Sequence, residues 1–170
     1  MRRLILFRHA KAEPRAPGQD DFDRPLAPRG RDDAAIVGRA LAADGIVPDL
    51  ALVSPATRTT ETWIHARDAF PPAKVELVRD LYDAAPEAIR AVIDGAADRC
   101  DTTIVVGHNP GLHEVAVDLL IDASASAAEI EPVAARFPTA TAAVYAIDAA
   151  GRASLEGLYL ARDLGGEGEG

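Results

Sequence analysis

The stretch that most constrains this chain is Leu4-Ile5-Leu6-Phe7-Arg8-His9, four apolar residues running directly into two basic side chains. So short a run, closed by turn-like polar sequence, predicts a strand buried on both faces, as in the centre of a parallel sheet. In open α/β sheets, functional groups gather just beyond the carboxyl ends of such strands. Arg8 and His9 therefore stand where a ligand would be met. The plainer reading is a surface arginine closing a strand and an ordinary loop histidine, and two residues alone do not separate the two.

Residues 13–28 hold Pro14, Pro17, Gly18, Pro25 and Pro28 and predict a loop long enough to suggest function. The loop carries Asp20, Asp21, Asp23 and Arg24. Arg24 is either a cation folded back towards His9 or part of a solvated charged surface. Residues 29–43 predict a helix with a partial apolar face, closed by Gly45. Residues 50–53 predict a second buried strand, so strand, helix and strand form the unit of a parallel sheet.

Ser54 and Pro55 follow at once, with Ser54 expected as a helix cap and Pro55 in the first turn. Arg58 then falls at the helix end nearest the strand tips, where free amides and the helix dipole favour anions. It reads as a bidentate phosphate or carboxylate donor, or else as a surface partner of Glu61. Trp63, Ile64 and Phe70 read as core. Residues 75–78 predict a short strand, and Pro86 opens a helix to about residue 97. Asp83 and Glu87 are candidate proton donors, with helix-start carboxylates as the plainer reading.

Residues 102–106 predict a third buried strand, followed by Gly107-His108-Asn109-Pro110-Gly111. His108 thus leaves a strand tip as His9 does, and two such histidines are much rarer by chance than one. His65 and His113 fall within helical patterns. Residues 122–135 give no assignment. Residues 141–147 and 153–160 predict an antiparallel pair at the sheet edge. A single domain is expected over residues 1–164, with a flexible Gly/Glu tail over 165–170.

The net charge of −9 argues against a general nucleic-acid binder but leaves 18 Lys and Arg for a local basic pocket. A single cysteine, Cys100, rules out an internal disulfide. The apolar run after Met1-Arg2-Arg3 is too short for a signal peptide, and no stretch approaches a membrane span. A soluble, cytoplasmic protein is the expectation.

Arg8, His9, Arg58 and His108 can converge into a pocket for a tetrahedral oxyanion. Arginines would repel a metal ion held by the histidines. No glycine-flanked nucleophilic serine and no phosphate-cradling Gly-x-x-x-x-Gly-Lys loop is present. Nucleophilic histidine catalysis of phosphoryl transfer remains.

The chain resembles the histidine phosphatase (phosphoglycerate mutase-like) superfamily, and more closely its short SixA-type phosphohistidine phosphatase branch. The matching pieces are Leu6-Phe7-Arg8-His9-Ala10, Arg24-Pro25-Leu26 with Arg29-Gly30, residues 54–62, Val106-Gly107-His108-Asn109-Pro110 and Phe137-Pro138-Thr139. They occur in the family's order and span nearly the whole chain. The resemblance implies an α/β fold, one three-layer domain whose mixed, mainly parallel sheet carries helices on both faces. It implies His9 as the phosphoryl-accepting nucleophile, Arg8, Arg58 and His108 completing the phosphate pocket, and Arg24 assisting. It implies no metal or other cofactor. Ala10 replaces the superfamily's usual glycine, as is common in the short branch. The cap and acid glutamate of larger members have no counterpart, leaving Asp83 or Glu87 as the possible general acid. A weak acid and an open pocket fit phosphohistidine in a protein. The alternatives are a small phosphate monoester as substrate and a non-catalytic phosphate-binding protein.

Overall fold

A computed structural model describes residues 1–167 of the chain. Six strands form one sheet in the order β3-β2-β4-β1-β5-β6. They are β1 (Arg3–Arg8), β2 (Leu50–Val53), β3 (Lys74–Leu77), β4 (Thr102–Gly107), β5 (Thr141–Ile147) and β6 (Ala153–Leu160). The first four are parallel, β5 pairs antiparallel with β1, and β6 pairs antiparallel with β5. The mixed, mainly parallel sheet implied by the sequence is therefore the observed one.

Strand β1 is apolar throughout because it has two faces to fill. Leu4 and Leu6 point into one layer, and Ile5 and Phe7 into the other, all four without solvent exposure. Helices α1 (Pro28–Ala43) and α2 (Thr57–Arg67) cover the Ile5 face through Val37, Leu41 and Trp63. Helices α3 (Pro86–Asp94), α4 (Gly111–Asp122) and α5 (Ala127–Ala135) cover the Leu4 face through Ile89, Leu112, Val115 and Val133. Each such side chain removed from water contributes roughly 1.5–3 kcal/mol.

Three sequence expectations need correction. Ser54 does not cap α2, which begins at Thr57 after Ala56 with no side-chain cap. Ile64 is not core but 45% exposed, whereas Trp63 is buried. Helix α3 stops at Asp94, short of residue 97. The unassigned stretch holds α5, begun by a reciprocal capping box between Ser126 and Glu129. In the expected tail, the Gly166 amide bonds to Ala161 O at 2.8 Å and the Glu167 amide to Asp33 at 3.1 Å. Residues 168–170 of that tail lie outside the described residues.

Helices α1 and α2 cross closely enough to demand a glycine. A Cβ placed on Gly38 would lie 2.4 Å from the Ala66 carbonyl oxygen. Backbone cannot swing aside as a side-chain tip can. Gly38→Ala should lower the unfolding free energy by roughly 1–3 kcal/mol, despite about 1 kcal/mol gained in helix propensity. Urea denaturation measures this, and an unchanged midpoint would mean the two helices have room to separate.

Candidate active site

Strands β1, β2 and β4 end level, with Arg8 beside Gly107 and Val53 beside Val106. The chain segments that follow are bound to one another by backbone. The His9 amide donates to Gly107 O at 3.1 Å, and the Ser54 amide donates to Val106 O at 3.0 Å. His9, Ser54 and His108 consequently emerge side by side. The two histidine rings lie 5.3 Å apart, centroid to centroid.

His9 is set by the residue that follows it. Its Nδ1 lies 2.8 Å from the Ala10 carbonyl oxygen. A carbonyl only accepts, so Nδ1 carries the hydrogen and Nε2 keeps its lone pair. Burial lowers the imidazole pKa to about 4; the Ala10 bond opposes this, and Arg58, Arg8 and Arg24 reinforce it. His9 is therefore neutral at pH 7, with one nitrogen committed to the backbone and the other without a hydrogen bond among the described residues.

His108 is buried, and its Nε2 lies 2.8 Å from the Ser54 hydroxyl. Its Nδ1 is also buried and has no hydrogen-bond partner among the described residues. Burial, then His9 and Arg58, lower its pKa to about 3. A buried ring nitrogen without a partner costs free energy unless something binds it.

Arg8 is aimed by the distant segment at residues 137–139. One of its terminal nitrogens donates to Phe137 O at 2.8 Å, and Asn109 Nδ2 donates to the same carbonyl at 3.0 Å. Arg58 is the second residue of α2 and buried. It does not pair with Glu61. Its two terminal nitrogens reach Asp21, one to the backbone oxygen at 2.8 Å and one to Oδ2 at 3.0 Å. Glu61 instead accepts from the Leu26 amide at 2.6 Å. Thr62 ties α2 to the first loop, because its Oγ1 donates to Arg58 O and accepts from the Ala10 amide at 2.9 Å.

The long loop is closed at its base. Ala12 and Leu26 form a bridge, and the Ala27 amide donates to Lys11 O at 2.9 Å. That closure carries Arg24 and Asp21 over the strand ends. Arg24 Nε donates to Asp21 Oδ1 at 2.8 Å, and a terminal nitrogen donates to Glu13 O at 3.0 Å. Tyr82 donates from its hydroxyl to Asp21 Oδ2 at 3.3 Å and sets its ring perpendicular to His108 at 5.6 Å. Against the opposing effect of burial, Arg58 and Arg24 hold the Asp21 carboxyl below its usual range.

Three guanidinium cations, one carboxylate and two neutral imidazoles leave two positive charges at this site. A phosphoryl group carries about −1.5 to −2 near neutral pH and offers three acceptor oxygens. The arrangement thus suits that group in charge and in donors. Arg8, His9, Arg58, His108 and Arg24 are all brought together. Asp83 and Glu87 are not: both are exposed, Glu87 in the first turn of α3 and Asp83 at φ 51°, and neither bonds to the site among the described residues. Asp21, Ser54, Thr62, Tyr82 and Asn109 complete the cluster without having been assigned to it from sequence. Asp21 was the visible one, a carboxylate three residues before a candidate arginine.

Comparison with known proteins finds relatives of this chain. The family model described as histidine phosphatase superfamily (branch 1) matches residues 4–85. An uncharacterized protein of Mycobacterium tuberculosis (strain H37Rv) is 37% identical over 138 residues, spanning 81% of this chain and 85% of its own. A structure from Agrobacterium tumefaciens carries the provisional name phosphohistidine phosphatase SixA. It is 30% identical, with a TM-score of 0.81 over 93% of this chain and 97% of its own. A similarly named structure from Nakamurella multipartitia is 27% identical, with a TM-score of 0.81 over 93% and 95%.

Proposed function

Because the chain belongs to the histidine phosphatase superfamily and is a phosphatase, we propose that it removes the phosphoryl group from phosphohistidine in a protein, through a covalent intermediate on His9. The observation that carries this reading is the neutral, backbone-fixed His9, with Nε2 open beside Arg8, Arg58 and His108. In the first step Nε2 attacks phosphorus, the bond to the leaving imidazole nitrogen breaks, and the phosphoryl group passes to His9. In the second, water attacks phosphorus, the bond to Nε2 breaks, and inorganic phosphate leaves. Arg8, Arg58 and His108 Nδ1–H donate to the equatorial oxygens, where charge collects in both steps. Arg24 adds its charge through the pair with Asp21.

Two features support phosphohistidine as the substrate. An imidazole departs easily once its other nitrogen holds a proton, so the lack of a bond from Asp83 or Glu87 to the site among the described residues is tolerable. Only residues 68–73 connect α2 to β3, too few for the cap of larger members, which favours a phosphoryl group presented on a protein surface. The name carried by the Agrobacterium tumefaciens relative points the same way.

The test compares kcat/KM on a phosphohistidine-bearing protein, an aryl phosphate and an alkyl phosphate. The phosphohistidine substrate should exceed the alkyl ester by at least tenfold, about 1.4 kcal/mol in the barrier. Strong activity on the alkyl ester with none on phosphohistidine would move the substrate to small monoesters.

A further inference from the structure

Arg79 is an exposed arginine held over aromatic rings. Arg2, Arg3 and Arg152 each pair with a carboxylate. Arg79 is exposed, and among the described residues its side chain makes no hydrogen bond or ion pair. Its guanidinium lies instead over two rings, 4.9 Å from the Phe22 centroid and 5.2 Å from the Tyr82 centroid. Those rings meet edge-on at 5.0 Å. Such stacking orients the planar group and leaves its N–H edge free to donate.

This aromatic shelf is continuous with the pocket. Tyr82 contacts His108 at 5.6 Å, bonds to Asp21, and has the Arg58 guanidinium 5.9 Å from its centroid. Phe22 directly follows Asp21 in the loop. Arg79 thus stands at the rim, outside the balance of three guanidiniums and Asp21 that matches one phosphoryl group. Resting on the proposed function, we infer that Arg79, on the shelf of Phe22 and Tyr82, binds an acidic side chain of the polypeptide that carries the phosphoryl group. A planar guanidinium fork matches a carboxylate, and an ordered donor set with no partner of its own is suited to an incoming one. The net charge of −9 makes such a local cation the means by which an acidic segment is accepted rather than repelled.

The experiment uses two phosphohistidine peptides that differ only in a glutamate or a glutamine near the phosphorylated residue. The intact protein should prefer the acidic peptide by roughly fivefold in kcat/KM, the scale of an exposed but oriented charge pair. Arg79→Gln should bring the ratio towards one, and Arg79→Lys should restore only part of it. Arg2→Gln, at the opposite end of β1, should leave the ratio intact. Equal use of the two peptides by the intact protein, a ratio unchanged in Arg79→Gln, or a ratio lost equally in Arg2→Gln overturns the inference. Binding of the same peptides to His9→Ala, read by fluorescence anisotropy, separates this inference from the chemistry. A preference there that Arg79→Gln abolishes supports it even if the intact protein cleaves neither peptide, an outcome that would remove the proposed function alone. Equal binding overturns it.

Discussion

His9→Ala should lose at least about 10⁴-fold in kcat/KM and should never accumulate a phosphoryl adduct, since the proposed nucleophile is gone. The intact protein, quenched in base during turnover, should carry an alkali-stable, acid-labile phosphoryl group on one histidine. His9 lies past the end of β1, outside the two apolar layers, so the substitution should leave the far-ultraviolet circular dichroism unchanged. On the proposed route the same nitrogen should set the acid limb of the pH profile. An ordinary histidine with a pKa near 6.5 would be about 97% protonated at pH 5 and would have lost roughly 30-fold of its nucleophile. With burial and the three arginines holding His9 near 4, the neutral fraction stays close to complete from pH 7 to pH 5 and falls only below that. Corrected for ionisation of the substrate phosphate, the phosphorylation rate should be flat over this window. A 30-fold loss by pH 5 would show that the ring is more solvated than its surroundings indicate. A His9→Ala protein that keeps its activity would remove the covalent route altogether.

The parts of this site that were legible in sequence are those written in local pattern. Leu4 to Phe7 announced a doubly buried strand because four consecutive apolar residues have no other economical place. Residues 102–106 did the same, and level strand ends then put His9 and His108 together as a consequence of topology. The α5 helix was legible in principle through Ser126 and Glu129, a capping box at its start, but an Ala-rich face gave no periodicity to read. Ser54 illustrates the opposite case. Serine before proline reads as a cap, yet its hydroxyl faces His108 from the neighbouring strand, a contact fixed only when β2 and β4 pair. The choice of Asp21 over Glu61 as the partner of Arg58 is likewise long-range. Spacing within α2 favoured Glu61, three residues on, but the closed loop delivers Asp21 to the arginine and leaves Glu61 to hold the Leu26 amide. Side chains that join separate elements are decided by the fold, and those are the ones the sequence left open.

Arg58→Ala should lower kcat/KM by about 10²–10³-fold, the loss expected when one fixed donor to a transferring group is removed at a cost near 3 kcal/mol. Part of that loss should have a second origin. Arg58 neutralises Asp21 as well as serving as a proposed phosphoryl donor, and without it the Asp21 carboxylate keeps, among the described residues, Arg24 and the Tyr82 hydroxyl. The site then falls from two excess positive charges to one while an anion stays beside the incoming phosphoryl group. Adding Asp21→Asn to Arg58→Ala removes that anion and should recover roughly three- to tenfold of kcat/KM, mostly through KM. Arg58→Lys should not substitute. A lysine ammonium cannot reproduce the fork that spans the Asp21 backbone oxygen and Oδ2, so it keeps the charge without the aim. Equal kcat/KM for Arg58→Ala and the double variant would show that Asp21 acts only by shaping the loop. Activity in Arg58→Lys within about threefold of the intact protein would show that charge alone, without the two-pronged geometry, is what the phosphoryl group needs at this position.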